Sequence, residues 1–201
     1  MSEKGWFPWA VARTGGDVKP GQQEEALRHT ISLLVENEFG VLARIAGLFS
    51  GRGFNIESLC VAESLDPTIS TMTIVTRGND AVLEQILKQL NKLINVVKVV
   101  DFQEMDYVAR EMVLVKVHAD EKSREEILRM VEIFRGKIID VSPRSYTIMI
   151  TGDEEKLKAF LNLIRPIGIK ELVRTGPIAM ARGEKTIKTK ERIAKGGEEN
   201  S

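Results

Sequence analysis

A short polar segment ahead of an apolar helical pattern holds the residues best suited to bind a small ligand. Asn37 and Gly40 lie in this segment, Glu36–Leu42, and Asn55 follows the helical pattern after Gly53. Backbone N–H groups at the start of a helix attract an anion such as a carboxylate, and Gly40 has no Cβ to keep a ligand from the main chain. Because an amide both donates and accepts hydrogen bonds, the two asparagines suit a zwitterion. The residues therefore predict a binding site for a free amino acid.

The same residues also have plainer interpretations. An asparagine ahead of an apolar stripe is a common helix N-cap, and this role is open to Asn37. Gly40 can serve helix entry alone, and Asn55 can form a left-handed turn after Gly53. These roles are compatible with ligand binding, and the occurrence of all three residues around one helical pattern favours a site.

The composition is that of an ordinary globular chain and narrows the functions open to it. Of the 201 residues, 43% are hydrophobic and 29% are charged, which is enough for one large domain or two small ones. Lys and Arg together number 29, as do Asp and Glu, so no overall positive field attracts nucleic acid or an anionic membrane. We therefore expect neither nucleic acid nor a membrane as a partner.

Cysteine usage and the lack of long apolar runs favour a cytoplasmic location. Cys60 is the only cysteine, which excludes an intrachain disulfide and a cysteine cluster for a metal. No run of about 18 apolar residues occurs, and the N-terminus does not have the pattern of a secretory signal. His29 and His118 fall in predicted strands about a domain apart, so we expect packing or surface roles for them rather than catalysis or metal binding.

Between the two ends of the chain the hydrophobic pattern alternates between period 2 and period 3.6, which is typical of strands and helices. The first four predicted strands are Thr30–Val35, Asn55–Glu63, Ser70–Thr76 and Asn95–Phe102. The helical stripes between them are Val41, Leu42, Ile45, Leu48 and Phe49, then Leu83, Ile86, Leu87 and Leu90. Gly51 and Gly53 are expected to end the first helix.

After a polar link at Gln103–Arg110 the same order of elements recurs. The remaining predicted strands are Met112–His118, Lys137–Val141, Tyr146–Thr151 and Ile169–Thr175. Ser123–Glu126 fits a capping box for a helix that ends at Gly136, and Asp153 is expected to cap a second helix that ends at Pro166. The two helical stripes are Ile127, Leu128, Val131 and Phe134, then Leu157, Phe160, Leu161 and Ile164.

This order predicts an α+β fold of two consecutive ferredoxin-like βαββαβ units, each a four-stranded antiparallel sheet with two helices on one face. The units are placed at residues 28–103 and 110–182. Residues 1–27, which include Trp6 and Trp9, are predicted to be a flexible N-terminal extension, and residues 183–201 a charged tail. The other sheet face and an edge strand would be covered in a homodimer, where Asn37 of one copy and Asn55 of the other can hold one ligand.

Several runs of this sequence resemble the small regulatory subunit of acetolactate synthase, also called acetohydroxyacid synthase. The runs are Leu34–Leu42, Leu48–Leu59, Glu132–Val141 and Arg174–Gly176, within a resemblance that spans about residues 28–185. The stretch from Asn37 to Gly53 is of a kind shared by many amino-acid-binding ACT domains, whereas Glu132–Val141 is more specific to this family. Residues 1–27 are the one departure from the family pattern.

The resemblance implies that the first unit is an ACT domain in a homodimer that binds valine or a related branched-chain amino acid. It implies a non-catalytic subunit, without cofactor, metal or catalytic residues of its own, that activates a large catalytic subunit and confers feedback inhibition in branched-chain amino acid biosynthesis. Thiamine diphosphate, Mg²⁺ and FAD are expected in that partner. The effector-binding residues that the resemblance implies, directly or by adjacency, are Asn37, Glu38, Phe39, Gly40, Val41, Leu42, Asn55 and Ile56.

Because ferredoxin-like folds serve many functions, three other functions are open to such a fold. An RNA-binding domain is disfavoured, since the predicted strand Ser70–Thr76 has no aromatic residues for base stacking. An acylphosphatase-like enzyme is disfavoured because no glycine-rich phosphate loop precedes a suitable arginine and no nucleophile stands beside a base. The main alternative is a stand-alone ACT-type amino-acid sensor for another enzyme or regulator.

Overall fold

The computed structural model describes residues 27–184 and residue 187. The predicted N-terminal extension, with Trp6 and Trp9, lies outside the described residues except for Leu27. Of the predicted charged tail, only residues 183, 184 and 187 are described.

The first unit is a four-stranded antiparallel sheet with two helices. Its elements are β1 (Leu27–Glu36), α1 (Val41–Gly51), β2 (Ile56–Glu63), β3 (Ile69–Gly78), α2 (Asp80–Leu90) and β4 (Val96–Asp101). The strands lie in the order β2-β3-β1-β4, so β2 and β4 are the edges and β1 is central. The order of elements along the chain, βαββαβ, is the one predicted for a ferredoxin-like unit.

The core of the first unit lies between this sheet and the two helices. Alternate residues of β1, namely Ile31, Leu33 and Val35, pack against the apolar stripes of α1 and α2. The predicted stripes are confirmed at the buried positions Val41, Ile45, Phe49, Leu83, Ile86 and Leu90. Leu42 is the exception, because its position on α1 leaves it 46% exposed.

The second unit repeats the arrangement and adds one strand. Its elements are β5 (Tyr107–His118), α3 (Arg124–Ile133), β6 (Lys137–Ser142), β7 (Ser145–Gly152), α4 (Glu154–Ile164), β8 (Ile169–Arg174) and β9 (Ile178–Ala181). The main sheet has the order β6-β7-β5-β8. Val113, Val115 and Val117 of β5 pack against the buried stripe of α4, which consists of Leu157, Phe160, Leu161 and Ile164.

The prediction of a polar link at Gln103–Arg110 is wrong over its second half. Strand β5 already begins at Tyr107, and residues Tyr107–Arg110 pair with β9, which the sequence pattern had not indicated. The ring of Tyr107 stacks on Phe102 with the ring centroids 4.9 Å apart. Pairing with a distant strand, rather than local alternation, gives this segment its extended form.

Strand β9 and the start of β5 cover part of the first sheet, on the face opposite its helices. This face was expected to be covered by a second copy of the chain. On the face of β1 away from the helices, Thr30, Ser32 and Leu34 are all buried. A crevice of about 260 Å³ separates Cys60 and Thr73 of the first sheet from Val108, Ile178 and Met180. Beside this crevice β9 lies against β1, so the two units contact each other across this face.

Helix α3 starts and ends differently from the prediction. The Ser123 side chain makes no capping bond to the helix; instead, Asp120 Oδ1 accepts hydrogen bonds from the backbone N–H of Lys122 and of Ser123 in the turn before α3. The helix ends with Arg135 in the left-handed region at φ 51°. Gly136 follows, with its N–H bonded to Val131 O at 2.8 Å, as in a Schellman motif.

The other predicted cap is confirmed, and one predicted core position is not. Asp153 accepts a hydrogen bond from the N–H of Lys156 at 2.9 Å and so caps α4. Leu128, which was assigned to the apolar stripe of α3, is 51% exposed because the helix turns this position away from the sheet.

Candidate functional site

The loop that joins β1 to α1 opens the helix through Gly40 rather than Asn37. Gly40 is the N-cap residue and lies in the left-handed region at φ 84°, with no side-chain capping bond. The interpretation of Asn37 as the N-cap of α1 is therefore wrong. A Cβ built on Gly40 has no neighbour within 4 Å, so the backbone here borders open space.

Asn37 binds the turn between β2 and β3. Its Nδ2 donates to Pro67 O at 2.9 Å and to Glu63 Oε2 at 3.4 Å, and its backbone N–H donates to Thr68 O at 2.7 Å. These contacts fix one side of the loop. Asn37 nevertheless remains exposed.

The other residues predicted for the loop site have different surroundings. Phe39 is fully exposed and Leu42 is half exposed, so both present apolar surface beside Gly40. Val41 points into the core and is 4% exposed. Glu38 is an exposed residue whose carboxylate lies 3.3 Å from the amide of Asn95.

Asn95 is the residue near this loop that the sequence pattern missed. Its side chain lies among Glu36, Glu38 and Arg44, and Asn95 itself is only 7% exposed. The sequence pattern made Asn95 the first residue of a predicted strand, whereas in the structure it precedes β4 by one residue. Only the folded chain brings the α2–β4 turn beside the β1–α1 loop.

Asn55 lies at the opposite end of the first sheet from Asn37. It precedes β2, whose first residue Ile56 pairs with Thr76, and Thr76 pairs with His29 near the start of β1. Asn37 instead follows the end of β1. Eight residues of strand separate the two ends, which is roughly 26 Å at about 3.3 Å per residue. One chain therefore does not bring Asn37 and Asn55 to the same ligand.

Asn55 and Ile56 line a crevice between the two units instead. This crevice has a volume of about 760 Å³, and Glu154, Arg174 and Gly176 line it from the second unit. Its charged side chains pair with one another. Glu57 pairs with Arg77 and with Arg28, and Arg28 also pairs with Glu154 of the second unit.

An ion pair between the half-exposed Arg174 and the buried Glu111 borders the same crevice. Arg174 donates from Nε and Nη2 to the two carboxylate oxygens of Glu111, each at 2.7 Å. The Glu111 side chain is 5% exposed. These hydrogen bonds, and secondly the negative charges of Glu111 and Glu154, raise the pKa of Arg174 although burial opposes them.

The histidines and acidic side chains of the described residues form no metal centre. His29 is buried with Nε2 2.9 Å from Gly78 O, and His118 lies 3.8 Å from Asp120. Within residues 27–184 no group of three His, Cys, Asp or Glu is placed to hold a metal ion. In the same part of the chain no helix has the length and apolar character needed to cross a membrane.

A βαββαβ unit whose first helix opens on an exposed glycine loop, joined to a second such unit, is the arrangement expected of an ACT-type regulatory protein. Residues 31–98 match the family described as "AHAS small subunit-like ACT domain", and residues 110–183 match "Small subunit of acetolactate synthase". The chain belongs to the acetolactate synthase small-subunit family.

Individual proteins of this family are similar over most of their length. A protein of Methanothermobacter thermautotrophicus described as a probable acetolactate synthase small subunit is 58% identical over 160 residues, which is 79% of this chain and 95% of the relative. The acetolactate synthase small subunit of Aquifex aeolicus is 49% identical over 179 residues, covering 87% and 93%. The crystal structure of the Thermotoga maritima small subunit superposes with a TM-score of 0.72 at 45% identity, covering 79% and 99%.

Proposed function

We propose that this chain binds the large catalytic subunit of acetolactate synthase, raises its activity and makes it sensitive to inhibition by valine or a related branched-chain amino acid. The chain itself is non-catalytic and acts in the cytoplasm. Thiamine diphosphate, Mg²⁺ and FAD belong to the catalytic partner. The observation that carries the proposal is the open start of α1 at Gly40, in a chain that matches the small-subunit family along both units.

The start of α1 suits the carboxylate of an amino acid. The helix has neither a side-chain cap nor an acidic residue in its first turn. The Val41 N–H already donates to Glu38 O at 3.4 Å, so the N–H groups of Leu42 and Ala43 and the positive end of the helix dipole are the ones available to an anion. The left-handed backbone of Gly40 leaves room for a ligand next to the main chain.

Exposed apolar surface near this loop suits a branched aliphatic side chain. Phe39 is fully exposed and Leu42 is 46% exposed, on either side of Gly40 and Val41. Covering these side chains with an isopropyl or isobutyl group removes apolar area from water on both partners. A polar or charged amino acid gains nothing from the same surface.

Two copies of the chain complete the site. In the described structure β2 is an edge strand of the first sheet, paired only with β3. Antiparallel pairing of two β2 edges about a two-fold axis brings Asn55, before the start of one β2, beside Glu63 at the end of the other. Because Asn37 binds Glu63 and the adjoining turn, Asn37 of one copy and Asn55 of its partner then meet at one ligand.

Regulation follows from linkage between the effector and the catalytic subunit. If the effector binds one state of the dimer better than the other, and the catalytic subunit prefers the opposite state, each weakens the other. A coupling of about 1–3 kcal/mol changes the affinity on the order of 5–150-fold. Modest differences in the contacts of Asn37 and Asn55 between the two states are sufficient.

The test measures acetolactate formation by the large subunit of the same organism, with and without this chain, while valine is titrated. We expect the chain to raise the rate and valine to reverse that rise. No change in rate with an active large subunit contradicts the proposal and favours a stand-alone sensor, for which direct binding of amino acids is then measured.

Mixed dimers test whether two copies share each site. Asn37→Ala and Asn55→Ala dimers are each expected to lose valine response. When the two variants are mixed and exchanged, every heterodimer has one site with both substitutions and one intact site, so that response to valine returns in part. If mixing and subunit exchange restore none of the valine response, the site is not shared between two copies. If each pure variant still responds to valine, the assignment of both asparagines is wrong.

A further inference from the structure

The side chain of Asn95 connects three side chains around the β1–α1 loop. Asn95 Oδ1 accepts a hydrogen bond from Arg44 Nη1 at 2.5 Å. Asn95 Nδ2 donates to Glu36 Oε2 at 2.7 Å and to Glu38 Oε2 at 3.3 Å. A backbone hydrogen bond joins the same two segments, because the Glu36 N–H donates to Asn95 O at 2.9 Å.

These partners enclose the segment that contains Asn37 and Gly40. Glu36 ends β1 and Glu38 lies within the loop, whereas Arg44 belongs to the first turn of α1 and donates its N–H to Gly40 O at 3.0 Å. Asn37 holds the other side of the loop through the β2–β3 turn. The Asn95 amide therefore connects the end of β1, the loop and the first turn of α1 next to the open space beside Gly40.

Only an amide can serve all three partners at once. Its oxygen accepts from the guanidinium of Arg44, while its nitrogen donates to the carboxylates of Glu36 and Glu38. Alanine removes both functions, and the low exposure of Asn95 limits the water that can replace them. Aspartate keeps the acceptor but brings a third carboxylate against the other two.

We propose that Asn95 is a positioning residue for effector binding: it holds the β1–α1 loop in the conformation that binds the effector and so sets the affinity without touching the ligand. This inference rests on the proposed function of the loop. A loop that is already ordered loses less conformational freedom when the ligand binds, so its affinity is higher.

The test compares binding of valine to wild type, Asn95→Ala and Asn91→Ala by isothermal titration calorimetry. Asn91 lies in the same turn, is exposed, and donates to Leu87 O at 2.8 Å, away from the loop. We expect Asn95→Ala to raise the dissociation constant for valine about tenfold, which corresponds to roughly one lost hydrogen bond of ~1.4 kcal/mol. Asn91→Ala should bind valine as wild type does.

A reversed pair separates positioning from a general loss of stability. Asn95→Asp alone should weaken valine binding, and Asn95→Asp combined with Glu36→Gln should restore it in part, because the Gln amide then donates to the Asp carboxylate. Glu36→Gln alone completes the double-mutant cycle. This rescue also keeps the proposal testable if Asn95→Ala does not fold.

The outcomes distinguish this inference from the proposed function. If wild type binds valine and Asn95→Ala binds it equally well, the inference is overturned and the proposed function stands. If Asn95→Asp weakens binding and Glu36→Gln does not restore any of it, the positioning role is also overturned. Wild type that binds none of valine, leucine and isoleucine overturns the effector binding in the proposed function, and with it the affinity that Asn95 is inferred to set.

Discussion

The hydroxyl group of Ser58 occupies the space that a side chain on Gly176 would need. A Cβ built on Gly176 lies 1.8 Å from Ser58 Oγ and 3.1 Å from Ser58 Cβ. Ser58 belongs to β2 of the first unit, and Gly176 connects β8 to β9 in the second. The units therefore touch three residues from Asn55, beside the ion pairs that join Arg28 to Glu57 and Glu154. The segment proposed to bind the effector is thus in contact with the second unit.

Substitution of Gly176 by alanine is expected to destabilise the contact between the units. Two costs add in Gly176→Ala: a left-handed backbone at φ 74°, worth about 1–2 kcal/mol, and the overlap with Ser58, worth about 1–3 kcal/mol. Urea unfolding measures the sum. Gly53→Ala is the matched control, because Gly53 has φ 70° but open space around its Cβ position.

A second variant tests whether the overlap with Ser58 is the reason that Gly176→Ala loses more stability than Gly53→Ala. Ser58→Ala in the Gly176→Ala background removes the nearer of the two clashing atoms and should recover part of the free energy of unfolding. If Gly53→Ala and Gly176→Ala lose the same stability, the overlap with Ser58 contributes nothing and the close approach of the two units is wrong.

Charge at the start of α1 should abolish the response to valine. Gly40→Asp places a carboxylate where the carboxylate of the effector is proposed to bind, so the two repel each other and compete for the same N–H groups. Gly40→Asn is the matched control, since it has nearly the same shape and the same left-handed strain at φ 84° without the charge. We expect the valine concentration for half-maximal inhibition to rise well beyond that of Gly40→Asn. Equal inhibition of both variants would falsify the placement of the carboxylate at this helix start.

The sequence predicted the fold wherever local pattern and tertiary structure agree. The apolar stripe of α4 and its cap Asp153 were identified because a 3.6-residue period and an N-cap are local signals, and both are present in the structure. Strand β9 and the left-handed Arg135 were missed. Their conformations depend on the pairing of β9 with the start of β5 and on the close packing of Gly136 against Met149, which are not encoded in neighbouring residues.

Some residues of the candidate site could also be predicted from local sequence, and others could not. The glycine loop at the start of α1 could be found from the sequence, because Gly40 and the polar residues before it are adjacent to the apolar stripe. Asn95 could not, since its hydrogen bonds to Arg44 and Glu36 join residues that are 51 and 59 positions apart in the chain. The sequence also gave no measure of the distance between Asn37 and Asn55, which strand register alone defines.

Removal of the Arg174 guanidinium, which is bonded to Glu111, should destabilise the second unit more than removal of an exposed ion pair on the same two strands. Arg174→Met leaves the buried Glu111 carboxylate without its two hydrogen bonds, at a cost of about 1–3 kcal/mol in the free energy of unfolding. Lys116→Met breaks an exposed contact of 3.3 Å with Glu171 between β5 and β8 and should cost less than about 1 kcal/mol. Chemical denaturation gives the free energy of unfolding of each of the two variants relative to wild type. Similar losses would mean that burial of Glu111 adds nothing to the strength of its pair with Arg174.

Acid should remove the stabilisation that Asp66 gives to the turn bound by Asn37. Asp66 Oδ1 accepts hydrogen bonds from the hydroxyl of Thr68 at 2.7 Å and from its backbone N–H at 2.9 Å. These bonds, the hydroxyl one first, lower the pKa of Asp66 in the folded chain. A group with a lowered pKa stabilises the folded state fully above its unfolded pKa of about 3.9, and this stabilisation is lost as the pH falls through the folded value.

The measurement is the free energy of unfolding of wild type and Asp66→Asn between pH 7 and pH 3. We expect wild type to be the more stable by a constant amount down to about pH 5, and the difference to shrink as the pH falls below about 4. Asp120→Asn should behave in the same way, because bonds from Ser123 lower the pKa of Asp120. The double variant then loses both contributions. A difference that stays constant down to pH 3 would show that the carboxylate charge of Asp66 does not stabilise this turn.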